Sequence, residues 1–304
     1  MLHRLGYVAI ALSLQSTTNR TCRLSNATPK RLRELIRANL DGLAEVLQFN
    51  VRHRIGLYRI SSQIIPFASH PVNAIAWWEE YAGDLARLGR FIRQSDLRVS
   101  MHPGQFTALS TPNQETLAAA LRDLDWHVRF LEALGMDSSH KVIVHVGGTY
   151  GDKAAAMGRF LAAVGNLPPH HRERLVVEND ERSYTVDDVL RVAERSGLPV
   201  VFDWLHHQIN PGPPASVRGL LQACWATWSR ERDGLPKVHF SSPRAGGPAG
   251  AHDDWVDADE FVRFLAAAPD RPFDCMLEAK RKELALFRLR RELAARGVRP
   301  DAAA

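Results

Sequence analysis

The sequence predicts an α/β protein with a single (β/α)8 TIM barrel over residues 1–304 and a metal centre at the C-terminal face of the strands. Three observations predict this fold. Short β-branched apolar runs alternate with segments of helical apolar spacing, the alternation repeats eight times, and no change in composition divides the chain. A doubly wound open sheet is the alternative, but it would not naturally bring the ends of all strands to one centre.

The predicted strands are short runs that end in Gly, Pro, Ser or a polar residue. They occupy residues 5–12, 57–61, 97–101, 142–148, 174–178, 199–202, 237–241 and 273–277. The first run follows His3 and Arg4, so a signal peptide is an alternative there. Gly6 and Tyr7 interrupt the apolar run, and no small-x-small cleavage site precedes Gln15, which favours a first strand.

Each predicted strand is followed by a segment in which apolar residues recur three or four positions apart. The predicted helices cover residues 30–49, 73–93, 114–134, 153–164, 186–195, 215–230, 258–267 and 281–295. Pro29 stands at the start of the first helix, where proline is favoured because a first-turn N–H group has no helical partner.

The composition sets broad limits on function. A chain of 304 residues with 45% hydrophobic residues can bury a sizeable core, and its net charge of +5 suits phosphate contacts without establishing nucleic-acid binding. Cys22, Cys224 and Cys275 are odd in number and lack metal-site or disulfide spacing, which indicates a reduced, cytoplasmic protein. No apolar run has the length needed to cross a membrane.

Residues with metal-ligand chemistry close the predicted strands from the third to the eighth. In a barrel of this type the active site lies at the C-terminal ends of the strands. The residues are His102, His145, Glu178, Asp203 with His206, His239 and Glu278, and His252 lies in the loop after the seventh strand. For each residue alone, a loop histidine, a helix cap or a salt bridge is the alternative, but the coincidence across six strands favours a metal centre.

Imidazoles and carboxylates form a nitrogen and oxygen ligand set that suits Mn²⁺, Zn²⁺ or Fe²⁺ rather than a thiolate site. This set exceeds the needs of one octahedral ion, so the sequence predicts two or three divalent ions, with a carboxylate such as Glu178 bridging a pair about 3.5–4 Å apart. His207 is adjacent to His206, and the Asp-x-x-His spacing from Asp203 favours His206 as the ligand.

Lys237 precedes His239 by two residues, so both side chains point to the same face of the strand. An ammonium group there would face the predicted cations, and both burial and nearby positive charge lower a lysine pKa. We therefore predict that Lys237 is neutral, carbamylated to an anionic ligand, or turned toward a phosphate. Bending away to solvent is the alternative.

Nine short segments lie in order along the chain, about one for each strand. They are Arg-Leu-Gly-Tyr (4–7), Tyr-Arg-Ile-Ser-Ser (58–62), Pro-Phe-Ala-Ser-His (66–70), Met-His-Pro-Gly-Gln-Phe (101–106), His-Val-Gly-Gly (145–148), Gly-Asp-Lys (151–153), Glu-Asn-Asp (178–180), Phe-Asp-x-x-His-His (202–207) and Lys-x-His-x-Ser-Ser (237–242). Together they resemble the UV damage endonucleases of the xylose-isomerase-like barrel superfamily over nearly the whole chain.

The resemblance implies a ligand set for a Mn²⁺-type cluster, with Zn²⁺, Co²⁺ or Mg²⁺ as other candidate ions. The implied ligands are His102, His145, Glu178, Asp203, His206, His239, His252 and Glu278, and the residues predicted to be catalytic are Glu178, His145 and Lys237. The family implies an enzyme that nicks double-stranded DNA immediately 5′ to a cyclobutane pyrimidine dimer or a 6-4 photoproduct, with abasic sites as further candidates, and so initiates alternative excision repair. We expect a cytoplasmic protein, associated with the nucleoid when bound to DNA, with no membrane or obligate protein partner.

Lesion recognition is predicted to use other residues, because a damaged dinucleotide must leave the base stack to be inspected. Gln105 and Phe106 are predicted to wedge into the gap; the family often has Gln-Tyr, so Phe106 keeps the stacking surface and lacks the hydroxyl. Tyr7 and His70 are candidates for contacting the lesion or a phosphate, and packing at the barrel rim is the alternative for both. Candidate anchors for the DNA backbone are Arg59, Lys153 and Arg244.

Two other functional classes are alternatives. One is a metal-dependent sugar isomerase or epimerase of the same superfamily, which needs fewer ligands and a closed pocket. The other is a non-catalytic module that binds damaged DNA, against which the intact ligand set argues. Gly147 and Gly148 are predicted to leave a gap through which a DNA backbone approaches the cluster.

Overall fold

Eight parallel strands form one sheet in the order β3-β2-β1-β8-β7-β6-β5-β4. The strands are β1 (Leu2–Ala9), β2 (Leu57–Ile60), β3 (Arg98–Ser100), β4 (Val142–His145), β5 (Leu175–Glu178), β6 (Val200–Asp203), β7 (Lys237–Phe240) and β8 (Phe273–Leu277). The computed structural model describes residues 1–298, so residues 299–304 of the predicted domain lie outside it.

The two ends of this sheet, β3 and β4, meet through Met101. Its backbone N–H donates to the Lys141 carbonyl at 3.0 Å, and the Ile143 N–H donates to the Met101 carbonyl at 2.9 Å, which gives a parallel bridge to Val142. The sheet therefore closes into the predicted TIM barrel, and the doubly wound alternative is wrong. The first apolar run forms β1, between β2 and β8, as expected for a barrel strand.

Helices follow each strand and pack their apolar stripes on the barrel. They are α1 (Pro29–Arg52), α2 (Trp77–Glu80), α3 (Ala82–Gln94), α4 (Gln114–Ala133), α5 (Lys153–Gly165), α6 (Pro169–Arg172), α7 (Val186–Ser196), α8 (Trp204–Ile209), α9 (Val217–Ala226), α10 (Arg230–Asp233), α11 (Ala258–Ala267) and α12 (Lys282–Ala295). Thr28 caps α1 by accepting the Arg31 N–H, directly before the predicted Pro29. Within residues 1–298, every helix is too short or too polar to cross a membrane.

Several element bounds differ from the predicted ones. β1 begins at Leu2, not residue 5, and ends at Ala9, whose φ of 69° interrupts the extended backbone. The predicted second helix is divided at Tyr81 into α2 and α3, and the sixth becomes α9 and α10. The short helices α6 and α8 were not predicted. α8 starts at this point because the Asp203 carboxylate accepts the His206 N–H at 2.7 Å.

Paired charges lie at the N-terminal end of the barrel. Asp274 on β8 is fully buried and accepts a hydrogen bond from Arg98 Nη1 at 2.8 Å, with Arg4 Nη1 at 3.7 Å. Lys141 Nζ donates to Asp233 Oδ1 at 2.5 Å, and both side chains are buried. Burial opposes the charge on Asp274, but its basic neighbours hold its pKa below the ordinary value.

Replacing Asp274 with alanine should lower the free energy of unfolding by about 3–5 kcal/mol, because Arg98 would remain buried without its partner. Chemical denaturation of the variant and the unaltered protein measures the difference. The control is Glu292→Ala, which removes a solvent-exposed partner of Arg288 and should change stability by less than about 1 kcal/mol. Equal effects of the two substitutions would contradict a buried role for Asp274.

Candidate metal centre

All eight predicted ligand residues lie at the C-terminal end of the barrel. They are placed by strand ends (His102, His145, Glu178, Asp203, His239 and Glu278), by α8 (His206) and by the loop before α11 (His252). The ring centroids of His102 and His145 are 5.1 Å apart, and that of His206 is 5.8 Å from His145 and 6.4 Å from His252. Closure of the barrel therefore brings these side chains to one site.

Glu178 occupies the centre of the cluster and is 1% exposed. Its Oε2 atom lies 3.2 Å from His102 Nε2 and 3.6 Å from His145 Nε2, and its Oε1 atom lies 2.7 Å from His239 Nδ1. Two groups, in each of which the ligand atoms lie within 4.8 Å of one another, share this residue: His102, His145 and Glu178, and Glu178, Asp203, His239 and Glu278. A carboxylate shared by two groups has the position of a bridging ligand.

Glu278 connects the second group to the Arg59 guanidinium and to His252 in a loop. Its Oε1 atom lies 3.3 Å from His239 Nδ1 and accepts from Arg59 Nη1 at 2.6 Å. Its Oε2 atom lies 3.8 Å from His252 Nε2, while His252 Nδ1 is 2.7 Å from the Ser241 hydroxyl. Burial opposes the charge on Glu278, but Arg59 and His239 hold its pKa below the ordinary value.

Asn179 orients two of the candidate ligands. Its side-chain amide donates to the Asp203 carbonyl at 3.1 Å and accepts the Asp203 N–H at 2.8 Å. Its backbone carbonyl lies 2.9 Å from His206 Nδ1, so a proton on Nδ1 leaves the Nε2 lone pair for a cation. The sequence indicates Asn179 only as part of the Glu-Asn-Asp motif and does not predict these contacts.

The buried polar atoms of the cluster fit a cation site. Within residues 1–298, Asp203 Oδ2, His145 Nδ1 and His239 Nε2 are buried and have no hydrogen-bond partner. A buried acceptor without a donor is unfavourable by about 1–3 kcal/mol, and a divalent cation satisfies a carboxylate oxygen directly. The ligand set contains nitrogen and oxygen donors, as the sequence predicted.

Three carboxylates repel one another in this small volume. Burial and the charges of Glu178 and Glu278 raise the pKa of Asp203 to about 7, although His206 opposes the shift. Burial disfavours the charge on His206, but Asp203 and the two glutamates raise the pKa of His206 to about 9. Burial also opposes ionisation of Glu178, while His239 and His145 hold its pKa well below the ordinary value. Bound cations would displace protons from this site.

Lys237 is fully buried, which rules out the alternative that it bends away to solvent. Its Nζ atom has no hydrogen-bond partner in the described part of the chain. Burial, and then the charge of Arg98, hold the pKa of Lys237 well below the ordinary value. A charged ammonium is therefore strongly disfavoured in this pocket.

Two predicted DNA contacts lie inside the protein. Tyr7 is 0% exposed and its hydroxyl donates to Asn50 Oδ1 at 2.8 Å, so its ring presents no surface to DNA, contrary to the prediction. Arg59 was predicted to anchor the DNA backbone, but its side chain is only 13% exposed and pairs with Glu278. The observed contact of Arg59 is with the cluster, where its charge offsets that of a carboxylate.

The other predicted DNA contacts lie on the protein surface. Phe106 is 85% exposed and stands next to the exposed Gln105 in the loop between β3 and α4. His70, between β2 and α2, and Arg244, between β7 and α11, are also exposed. Lys153, the first residue of α5, is partly exposed, and its Nζ pairs with an Asp carboxylate of α7 at 2.5 Å. All these connections follow the C-terminal ends of strands.

Protein atoms lie where a side chain on Gly147 would project. Gly147 has a φ of 106°, and a Cβ there would lie 2.7 Å from Ser110 Oγ. The left-handed backbone and this close contact explain Gly147 without DNA. Gly148 is exposed, and a Cβ there would lie 3.2 Å from two ring atoms of Tyr150, so the approach of a DNA backbone at this position stays a prediction.

Asp123 on α4, which carries no signal in the sequence, joins two of the surface loops. Its Oδ1 atom accepts from the Ser69 hydroxyl at 3.0 Å, and its Oδ2 atom accepts from the Thr107 hydroxyl at 2.5 Å. Ser69 precedes His70, and Thr107 follows Phe106. One carboxylate thus restrains both of the loops that carry candidate lesion contacts.

Known proteins match this chain over nearly its whole length. The family model described as UV-endonuclease UvdE matches residues 3–302. A UV DNA damage endonuclease of Bacillus velezensis is 38% identical over 311 residues, which cover 98% of this chain and 97% of that protein.

A solved structure is also similar to this chain over nearly its whole length. The crystal structure described as SacUVDE has a TM-score of 0.90 and 32% sequence identity, and the match covers 97% of this chain and 99% of that one. Endonuclease IV from Thermus thermophilus has a TM-score of 0.57 and 18% identity, with 84% of this chain and 95% of that chain covered. The second likeness concerns the barrel fold alone.

Binding of Mn²⁺ should weaken as the pH falls from 9 to 6. The cation must displace a proton from His206 below its pKa of about 9, and a second proton from Asp203 below its pKa of about 7. Affinity should fall by about tenfold per pH unit for each proton displaced. Isothermal titration calorimetry in buffers of different ionisation enthalpy counts these protons. Asp203→Asn should bind Mn²⁺ more weakly and lose the second step, whereas an affinity independent of pH would contradict the assignment.

Proposed function

Because the chain belongs to the UV-endonuclease UvdE family, we propose that it nicks UV-damaged double-stranded DNA with the help of two or three divalent metal ions, Mn²⁺ foremost. The observation that carries the metal requirement is the sharing of Glu178 between two groups of candidate ligands. The proposed cut lies immediately 5′ to a cyclobutane pyrimidine dimer or a 6-4 photoproduct, and abasic sites are further candidate substrates. We place the activity in the cytoplasm, at the nucleoid.

We propose that different ligands hold different ions of the centre. His102, His145 and Glu178 would hold one ion, and Glu178, Asp203, His239 and Glu278 would hold a second, with His206 and His252 at the edge for a third. When bound, such ions supply a nucleophile at neutral pH and positive charge for the phosphate oxygens. Hydrolysis of a phosphodiester needs both.

The protein residues around the ions fix their ligands and balance their charge. Asn179 holds His206 with Nε2 free, and Ser241 holds His252 through Nδ1. Glu178 is proposed as catalytic because both candidate ligand groups share its carboxylate, and His145 because its Nε2 atom lies 3.6 Å from Glu178 Oε2. Lys237 is proposed to be a neutral amine or a carbamate. Burial favours a neutral amine, and a carbamate would place a negative charge in a region that already contains the positive charge of Arg98.

The surface loops carry the proposed recognition of damage. Phe106 exposes most of its ring, and Gln105 beside it adds an amide that can bond to a base left unpaired by the lesion. Weakened pairing at the lesion lowers the cost of opening the stack, which favours damaged sites. His70 and Arg244 are proposed to contact the lesion or the phosphate backbone. Lys153 would do so only in competition with its own carboxylate partner.

Glu178→Gln should reduce nicking of an irradiated duplex in the presence of Mn²⁺ by at least about 100-fold, because the shared carboxylate loses its charge. Gel analysis of end-labelled duplex measures the cut strand. Glu45→Gln, on the exposed face of α1, is the matched control and should cut as the unaltered protein does. Unchanged cutting by Glu178→Gln would contradict metal-assisted hydrolysis, and absence of cutting by the unaltered protein would favour the non-catalytic module.

Phe106→Ala should weaken binding to a duplex with one thymine dimer by about 1–3 kcal/mol, the typical value of an aromatic stacking contact. Binding to the same duplex without the dimer should change much less, because an intact stack leaves no gap for the ring. Phe106→Tyr keeps the ring and should retain lesion preference. Fluorescence anisotropy measures both affinities, and equal losses for the two duplexes would argue against a wedge.

A further inference from the structure

Tyr150, which is exposed, and Arg159, which is partly buried, form a pair that the proposed incision does not use. Tyr150 lies in the loop between β4 and α5, and 48% of its surface is exposed. The guanidinium carbon of Arg159 on α5 lies 5.6 Å from the centre of the Tyr150 ring. The loop follows His145, so the pair lies at the end of the barrel that holds the candidate metal centre.

The ring of Tyr150 lies beside the backbone of Gly148. Tyr150 has a φ of 51°, and a Cβ on Gly148 would lie 3.2 Å from two atoms of the Tyr150 ring. The Gly148 carbonyl accepts a hydrogen bond from Ser110 Oγ at 3.0 Å, and the Ser110 carbonyl accepts one from Arg159 Nε at 2.6 Å. Ser110 belongs to the same loop as Phe106. The two exposed aromatic rings are therefore carried by loops that are bonded together.

The charge of Arg159 is available to an anion. Within residues 1–298, its only hydrogen bond is the one donated by Nε, so both Nη groups can donate to a ligand. Lys153 is close by but pairs with Asp188. A flat ring beside a guanidinium with free Nη groups matches a nucleotide of a duplex, because the sugar can contact the ring while the phosphate receives the guanidinium hydrogen bonds.

We propose that Tyr150 and Arg159 bind an undamaged nucleotide of the duplex that flanks the lesion, with Tyr150 contacting its sugar and Arg159 its phosphate. The inference rests on the proposed action on DNA and adds a contact distinct from that of Phe106. Bases of an intact duplex stay stacked, but its sugars and phosphates are exposed and do not depend on the base sequence. The pair therefore contributes to affinity for damaged and undamaged DNA alike, whereas Phe106 contributes to preference for the lesion.

The test measures binding of two fluorescein-labelled duplexes of one sequence, with and without a single thymine dimer, in EDTA so that no cutting occurs. Tyr150→Ala should weaken binding of both duplexes by the same factor, on the order of 5-fold, which corresponds to about 40 Å² of apolar ring surface returned to water. Tyr150→Phe should bind both as the unaltered protein does. Arg159→Gln should weaken both and lower the salt dependence of binding by about one phosphate contact. Val51→Ala, an exposed apolar residue at the far end of α1, is the control.

Three results would overturn the proposal. They are unchanged binding by both Tyr150→Ala and Arg159→Gln, a loss confined to the duplex with the dimer, and weaker Mn²⁺ binding by Tyr150→Ala in a separate calorimetric titration without EDTA. Retained affinity of Tyr150→Phe together with a reduced salt slope for Arg159→Gln supports it. Failure of the proposed incision is separate, since it would show as an absence of nicking by the unaltered protein with Mn²⁺ while both duplexes still bind.

Discussion

Repulsion among three carboxylates at the mouth of the barrel is the constraint on which the rest of the site depends. Glu178, Asp203 and Glu278 offer oxygen atoms within 4.8 Å of one another in a volume that water barely reaches. Like charges in such a medium are unfavourable unless protons or cations neutralise them. The raised pKa of Asp203, the surrounding imidazoles and the inward guanidinium of Arg59 all respond to this one concentration of negative charge.

The interior of the barrel is divided along its axis by charge. The N-terminal end contains two buried ion pairs, Arg98 with Asp274 and Lys141 with Asp233. Each buried charge there has an oppositely charged partner. At the C-terminal end the carboxylates are in excess. Lys237 lies between these layers, beside Asp274 in strand register but without a hydrogen-bond partner for Nζ among the described residues. A charged lysine there would lack a hydrogen-bonded counter-ion, unlike the paired cations at the N-terminal end.

The positions of most candidate ligands were predictable because all strands of the barrel are parallel. A residue at the C-terminal end of any strand must therefore lie at the same end of the barrel. Tyr7 and Arg59 could not be assigned in this way. Both are strand residues, but the side toward which each points depends on the tilt and register of the closed barrel. Tyr7 pairs in register with Tyr58 and meets Asn50 of α1, in the layer between strands and helices, while Arg59 points toward Glu278.

Contacts between distant loops leave no pattern in a single sequence, which is why Asp123 and Tyr150 were missed. Both act through hydrogen bonds or packing across chain segments that only the folded barrel brings together. The candidate ligands lie on strands or are held by neighbouring backbone. The exposed rings of Phe106 and Tyr150 lie on loops that Ser110 joins, and Asp123 joins the Phe106 loop to the His70 loop. Because the two sets share few contacts, a substitution such as Phe in place of Tyr at position 106 can alter how damage is recognised while the chemistry of the cluster stays the same.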